Sequence, residues 1–185
     1  MTGLIIVAVI VLAPVIWVVA TYNGLVSLRN MVKESWSGVD TELKRRYDLV
    51  PNLVATVKGY AAHEQETLRR VVEARQRAVA STGSPESQAK DENVLVANLR
   101  GLLAVVENYP NLKASENFLK LQSELANTED RIQAARRFYN ANVRDLNTRI
   151  EVFPSNLIAQ GFGFEKAQFF EIQQAVERVA PVVSL

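Results

Sequence analysis

The chain has 185 residues, which is enough for one domain with an anchor and too few for two domains of ordinary size. Hydrophobic residues make up 48% and charged residues 22%, a balance that excludes an intrinsically disordered chain. The formal net charge of +1 argues against a nucleic-acid partner, and the absence of cysteine excludes disulfides, thiolate metal sites and cysteine nucleophiles.

The N-terminal segment has the length and composition of a membrane span. No side chain in residues 1–28 is charged, and residues 4–20 are almost entirely Ile, Val, Leu and Ala. At about 1.5 Å per residue, a helix over residues 2–22 covers about 30 Å, the thickness of the hydrocarbon core of a bilayer. We interpret residues 1–23 as an uncleaved transmembrane anchor, and the side chains that mark it are Leu4, Ile10, Pro14, Trp17 and Tyr22.

Two details of this anchor leave alternatives. A cleaved signal peptide could end at residues 18–20, but the basic region that precedes the apolar core of a signal peptide is missing. For orientation, Arg29 and Lys33 follow the span, and the positive-inside rule then favours a body in the cytoplasm. Because Glu34 and Asp40 dilute this charge signal, an extracytoplasmic body stays open.

Beyond the anchor, apolar residues recur every three or four positions and predict four amphipathic helices. No proline separates the first pattern from the membrane span, so we expect one long helix that ends before Pro51. The second helix is expected to begin near Asp48 or Pro51. The third is predicted from about Pro85 to Asn108, and the fourth begins after Ser115 as N-cap and spans about 38 residues.

The predicted fold class is all-α, because no stretch before Val152 alternates with the period of a strand. Short connections between long helices favour an elongated, up-down antiparallel four-helix bundle over residues 24–152, continuous with the transmembrane helix. The fourth helix would be about 57 Å long, which predicts a rod that stands off the membrane. In the up-down order, the fourth helix returns the chain to the membrane. A partly helical C-terminal segment, residues 153–185, is therefore expected near the membrane.

The C-terminal segment holds five of the seven phenylalanines. One interpretation is an aromatic element that contacts lipid headgroups or a neighbouring subunit, with Phe162 and Phe164 as candidate interaction residues. The other is a lid over the open end of the bundle core. The lid is favoured, because buried phenylalanine is commoner than exposed phenylalanine.

A second group of candidate interaction residues is the polar cluster at residues 44–48, which contains Arg45, Arg46 and Asp48. The predicted boundaries place this cluster at the membrane-distal turn between the first two helices. Arg45 or Arg46 is expected to pair with carboxylates of the third or fourth helix. A solvated, ion-paired turn is favoured over a site at which a partner docks.

The sequence indicates no catalytic, cofactor-binding or metal-binding residues. Metal sites in bundles need converging Glu and Glu-x-x-His groups, whereas His63 is the only histidine and Thr67 stands where a zincin motif has its second one. A hydrolase that uses carboxylates such as Glu64 and Glu73 is disfavoured, because catalytic carboxylates need a cleft and perturbed pKa values. We expect no enzyme, no cofactor and no small-molecule substrate.

Several runs of sequence, in matching order, closely resemble the LemA family of bacterial proteins. They cover nearly the whole chain and lie at residues 22–30, 34–37, 43–54, 57–64, 136–140, 153–156 and 161–162. The resemblance implies a single-pass protein of the bacterial cell membrane with a four-helix-bundle body. It implies no enzyme activity and brings no catalytic residues to transfer.

Two functional hypotheses follow. The first is a non-catalytic, membrane-anchored scaffold that self-associates and organises the membrane or membrane proteins, with the lipid bilayer and further copies of the chain as partners. The alternative is a regulatory or adaptor bundle that binds a partner membrane protein such as a protease. A scaffold predicts a homo-oligomer that persists when pure, and an adaptor predicts a monomer or dimer that gains mass only with its partner.

Overall fold

The computed structural model describes residues 2–171, and this part of the chain forms helices and no strand. The side chain of Leu4 and residues 172–185, the end of the predicted C-terminal segment, lie outside the described residues. The helices are α1 (Thr2–Tyr60), α2 (Gln65–Ala80), α3 (Pro85–Val106), α4 (Pro110–Lys113), α5 (Glu116–Glu151) and α6 (Ser155–Gly161). The all-α class with a long N-terminal apolar helix is therefore confirmed.

The described chain divides into two compact units, and α1 and α5 contribute residues to both. Unit 1 contains residues 2–41 and 134–169, and unit 2 contains residues 42–133 and 170–171. The predicted boundaries at residue 23, between the anchor and the bundle, and at residue 152, between the bundle and the C-terminal segment, stay predictions.

In unit 1, α1 and α5 each bury one stripe of side chains spaced three, four or seven residues apart, as amphipathic helices do. The Trp36 ring of α1 packs on the Tyr139 ring of α5 with 5.1 Å between the ring centroids. The buried apolar residues of these two helices in unit 1 are Leu25, Val32, Val39, Tyr139, Val143, Leu146 and Ile150.

In unit 2, the fully buried Leu112 of α4 joins an apolar core that comes mainly from four helical segments. They are the C-terminal part of α1, the whole of α2 and α3, and the N-terminal part of α5. The buried apolar residues are Leu43, Tyr47, Val50, Leu53 and Val57 of α1, Leu68, Val71, Ala74 and Ala78 of α2, Ala89, Leu95, Leu99, Leu102 and Val106 of α3, and Phe118 and Ile132 of α5.

The prediction that the first helix ends before Pro51 is wrong, since α1 continues through Pro51 to Tyr60 and α2 begins only at Gln65. Proline has no backbone N–H, so the carbonyl of Tyr47, four residues earlier, loses its helical donor. The Nε atom of Arg75 in α2 donates to that carbonyl at 2.6 Å. A hydrogen bond from another helix therefore replaces the one that Pro51 removes.

This replacement can be tested by removing the donor. Arg75→Ala leaves the Tyr47 carbonyl without a partner and is expected to lower the free energy of unfolding by about 1–3 kcal/mol, measured by denaturant unfolding of the detergent-solubilised chain. The double variant Arg75→Ala/Pro51→Ala restores an N–H at position 51 and should recover most of the loss. Arg77→Ala, at an exposed position of the same helix, is the matched control. No recovery in the double variant would contradict this account of Pro51.

The remaining helix boundaries lie close to the predicted ones. The third helix begins at Pro85, where the Ser84 side chain accepts a hydrogen bond from the Ser87 N–H, and it ends at Val106. The short helix α4 was not predicted. The fourth predicted helix corresponds to α5, which begins directly after Ser115 and has 36 residues.

Candidate functional site

Aromatic side chains from two distant parts of the chain meet in unit 1. The Tyr22 ring, at the end of the apolar stretch of α1, lies 4.9 Å from the Phe162 ring and 5.8 Å from the Phe164 ring between centroids. The guanidinium of Arg29 lies 5.2 Å from the centroid of the Phe164 ring, within cation–π distance. We call Tyr22, Arg29, Phe162 and Phe164 the aromatic collar.

The turn between the two phenylalanines of the collar requires glycine. Gly163 has a φ of 67°, in the left-handed region. The Phe164 N–H donates to the Ala159 carbonyl at 2.9 Å and the Gly163 N–H to the Gln160 carbonyl at 3.3 Å, which together form a Schellman motif after α6. This motif ends the helix and sets the directions in which Phe162 and Phe164 leave the backbone.

The residues after the collar are tied to α5. The Asn147 side chain donates to the Ala167 carbonyl at 2.9 Å and accepts from the Ala167 N–H at 2.8 Å. The Tyr139 hydroxyl donates to the Gln168 carbonyl at 2.8 Å, and Lys166 pairs with Glu151. These bonds fix the backbone that follows the collar against the last four turns of α5.

The phenylalanines are placed differently from the favoured prediction of a lid. Phe153 and Phe162 are exposed in unit 1, so the lid interpretation is wrong for these two rings. In unit 2, Phe170 is fully buried. Of the predicted anchor residues, Ile10, Pro14 and Trp17 lie in α1 with exposed side chains.

A network of ionic and hydrogen bonds lies in the core of unit 2. Arg46 of α1 is 0% exposed, and its Nη1 donates to Glu129 of α5 at 2.8 Å. Its Nη2 pairs with Glu92 of α3, which is also 0% exposed. The Tyr47 hydroxyl donates to the other oxygen of Glu92. We call Arg46, Tyr47, Glu92 and Glu129 the buried network.

Burial governs the proton affinities of the buried network. Desolvation raises the pKa of Glu92, and the Arg46 charge and its hydrogen bonds oppose this shift without cancelling it. Desolvation and the nearby Glu92 charge raise the pKa of Tyr47, which stays a neutral donor. Since these side chains join three helices, the network constrains the alignment of α1, α3 and α5 within unit 2.

The prediction of a turn at residues 44–48 is also wrong, because these residues lie inside α1 and not between two helices. The reason is again the continuation of α1 through Pro51. Arg45 is half exposed and pairs with Glu42 at 3.3 Å, and Asp48 is exposed. The prediction that Arg45 or Arg46 pairs with carboxylates of the third or fourth helix is confirmed for Arg46.

Sequence reasoning missed Glu92 and Tyr47 as members of the network. A signal was present for Glu92, since it falls in phase with Ala89, Leu95 and Leu99 on the buried face of α3. A carboxylate on an apolar stripe needs a buried cation as partner. The sequence offered Arg45 and Arg46 as candidates for this cation, and the three-dimensional alignment of the helices selects Arg46.

The disfavoured catalytic carboxylates have structural partners. Glu64 accepts a hydrogen bond from the Tyr109 hydroxyl at 3.0 Å, and Glu73 pairs with Arg69 at 2.5 Å. Within residues 2–171, no group of three or more His, Asp or Glu side chains could hold a metal ion.

Unit 2 also has an open groove of about 610 Å³, lined by Val54, Lys58, Ala62, Gln65, Leu68, Arg69, Val72, Glu73 and Gln76.

These features define a class, that of all-helical proteins whose N-terminal helix is a candidate membrane span. In the described range, α1 from Val9 onward is the helix that is long and apolar enough, by length and composition, to cross a bilayer. The chain belongs to the LemA family, whose family model matches residues 35–185.

Individual relatives agree with the family. The chain is similar to Protein LemA of Metamycoplasma hominis, with 27% identity over 158 residues that cover 85% of this chain and 71% of the relative. It is also similar to Magnetosome protein MamQ 2 of Paramagnetospirillum magneticum at 26% identity and to Magnetosome protein MamQ of Magnetospirillum gryphiswaldense at 24%. Both matches cover 83% of this chain and 66% of the relative. The relatives and the apolar helix fit a membrane location.

Proposed function

We propose that the protein is a non-catalytic, membrane-anchored helical scaffold that self-associates side by side and organises the bacterial membrane or its proteins. The observation that carries the proposal is the continuity of α1, in which the apolar segment and the helical body share one helix from Thr2 to Tyr60. A span inserted in the bilayer would then hold the body close to the membrane. The relatives named as magnetosome proteins support a membrane role.

The charges after the span support a body on the cytoplasmic side. Arg29 and Lys33 lie within about 11 residues of Tyr22, inside the region where Lys and Arg bias orientation.

Self-association is supported by an exposed aromatic side chain of unit 1, that of Phe138. Phe138 of α5 is 60% exposed, and Met31 of α1 is 42% exposed. A single exposed apolar residue is ordinary, but aromatic side chains, phenylalanine included, are enriched in the buried cores of protein–protein interfaces. In a side-by-side assembly, Phe138 would be buried against a neighbouring copy.

The test is the particle mass of the full-length chain after gentle detergent extraction, with electron-microscope images of the same sample. We expect a discrete oligomer for the wild type and a clear shift toward smaller particles for Phe138→Ser, because the variant removes an apolar contact. Leu119→Ser, at a 49% exposed position of unit 2, controls for the loss of one exposed apolar side chain. A wild-type particle of one or two chains would contradict the scaffold.

The groove in unit 2 favours the alternative, an adaptor that binds a partner membrane protein such as a protease. Its lining combines apolar side chains such as Leu68 and Val72 with Lys58, Arg69 and Glu73, the mixture that peptide-binding surfaces use. In that case, the purified chain would be small and would gain mass only when extracted with its partner.

A further inference from the structure

The strongest unexplained feature of unit 1 is an uncharged, exposed segment that is separate from α1 in sequence and in contact with it in space. Residues 152–164 contain no charged side chain, although charged residues stand at both ends. Three of its large apolar side chains are mostly exposed: Phe153 at 78%, Phe162 at 59% and Leu157 at 58%. We call residues 152–164, which include α6, the interfacial segment.

We propose that the interfacial segment is a second membrane contact, which lies in the boundary between lipid headgroups and acyl chains beside the transmembrane helix. This inference rests on the proposed anchor, because that anchor places unit 1 at the bilayer. It adds a site of lipid contact, with a phospholipid surface as the ligand.

The position of the segment along α1 supports a lipid surface as its occupant. Phe162 contacts Tyr22, and Tyr22 stands where the apolar stretch of α1 ends. Aromatic residues at that position of a span belong to the interfacial belt. The segment therefore continues the lipid-facing surface of α1 at the depth at which interfacial aromatics lie.

The charges around the segment fit the same depth. Arg29 lies seven residues beyond Tyr22, which is about 10 Å along the helix, and its guanidinium lies over Phe164. At this distance from the hydrocarbon edge, a cation reaches the phosphate layer. Glu151, directly before the segment, and Lys166, two residues after it, form an ion pair with each other.

The backbone of the segment also suits a place with little water. Polar backbone groups must find partners inside the protein when they enter an apolar boundary. The Schellman motif satisfies the Ala159 and Gln160 carbonyls, and the Ser155 hydroxyl lies 2.7 Å from the Arg149 carbonyl at the end of α5. The segment can thus place apolar side chains in lipid without leaving these carbonyls unpaired.

The experiment uses single-tryptophan variants of the full-length chain, reconstituted in phosphatidylcholine–phosphatidylglycerol vesicles with or without brominated acyl chains. Leu157→Trp and Phe162→Trp, each in a Trp17→Phe/Trp36→Phe background, report on the segment. Phe138→Trp in the same background is the matched control, because Phe138 is as exposed as Phe162 but lies far from the segment along α5. It stands twelve residues before Ile150, and the interfacial segment begins directly after the end of α5. Trp17 alone, in a Trp36→Phe background, reports on the anchor.

We expect brominated lipid to quench Leu157→Trp and Phe162→Trp about as strongly as Trp17, and to leave Phe138→Trp unquenched. Quenching of Trp17 together with segment tryptophans that behave like Phe138→Trp would overturn the inference and leave the anchor standing. An unquenched Trp17 would count against the anchor itself. Segment tryptophans that resist both brominated lipid and aqueous iodide would lie against another protein chain, which also overturns the inference. Circular dichroism of each variant checks that the helices are retained.

Discussion

Replacement of Arg46 with alanine is expected to lower the free energy of unfolding by about 3–5 kcal/mol, because it leaves Glu92 buried without its cation. Glu92 is 0% exposed, so water cannot take over the role of the guanidinium. The remaining hydrogen bond from Tyr47 is too little to solvate a carboxylate. Denaturant unfolding of the full-length chain in detergent, followed by circular dichroism, measures the loss.

Two further variants distinguish the loss of the buried ion pair from the loss of one positive charge. Arg69 is 57% exposed and pairs with Glu66 and Glu73 on the surface, so Arg69→Ala should lower the free energy of unfolding far less than Arg46→Ala. The triple variant Arg46→Met/Tyr47→Phe/Glu92→Leu removes every buried polar side chain of the network and is expected to be close to the wild type in stability. If Arg46→Ala costs no more than Arg69→Ala, the network does not constrain unit 2 as described.

The helices could be predicted from the sequence because their signal is local. Apolar residues in steps of three and four mark the buried faces of α1, α3 and α5 before any partner helix is known. The end of α1 is predicted wrongly when Pro51 is given more weight than this periodicity. Pro51 is a strong local stop signal, and the hydrogen bond that overrides it comes from Arg75, on another helix. The apolar steps Val50, Leu53 and Val57 continue past the proline and were the better guide.

The candidate sites depend still more on contacts between distant residues. The sequence predicted that Arg45 or Arg46 pairs with distant carboxylates, but the choice of Arg46, and of Glu92 and Glu129 as its partners, follows from the alignment of the helices. Likewise, the aromatic residues of the C-terminal segment were evident, whereas their place beside Tyr22 was not. That place depends on the turn at Gly163 and on the bonds between Asn147 and Ala167.

A second large effect is expected at alkaline pH, where Tyr139 makes the stability of the protein depend on pH. Tyr139 is 2% exposed, and burial raises its pKa from 10.0 to about 12. As the pH rises from 10 to 12, the unfolded chain releases this proton and the folded chain keeps it, so the free energy of unfolding falls. Two pKa units correspond to about 2–3 kcal/mol, a loss that is complete only above the folded pKa.

The variant Tyr139→Phe isolates this contribution. It removes the ionisable group and the hydrogen bond to the Gln168 carbonyl, so it should be about 1 kcal/mol less stable than the wild type at neutral pH. Between pH 10 and pH 12, however, its stability should fall less steeply, and the two curves should approach or cross.

A part of the slope remains in Tyr139→Phe, because burial also raises the pKa of Tyr47. An equally steep fall in Tyr139→Phe would show that Tyr139 is not the source. Because Tyr139 holds Gln168 and packs on Trp36, its ionisation would also release the backbone that follows the collar, and the fluorescence of Trp36 should change over the same pH range.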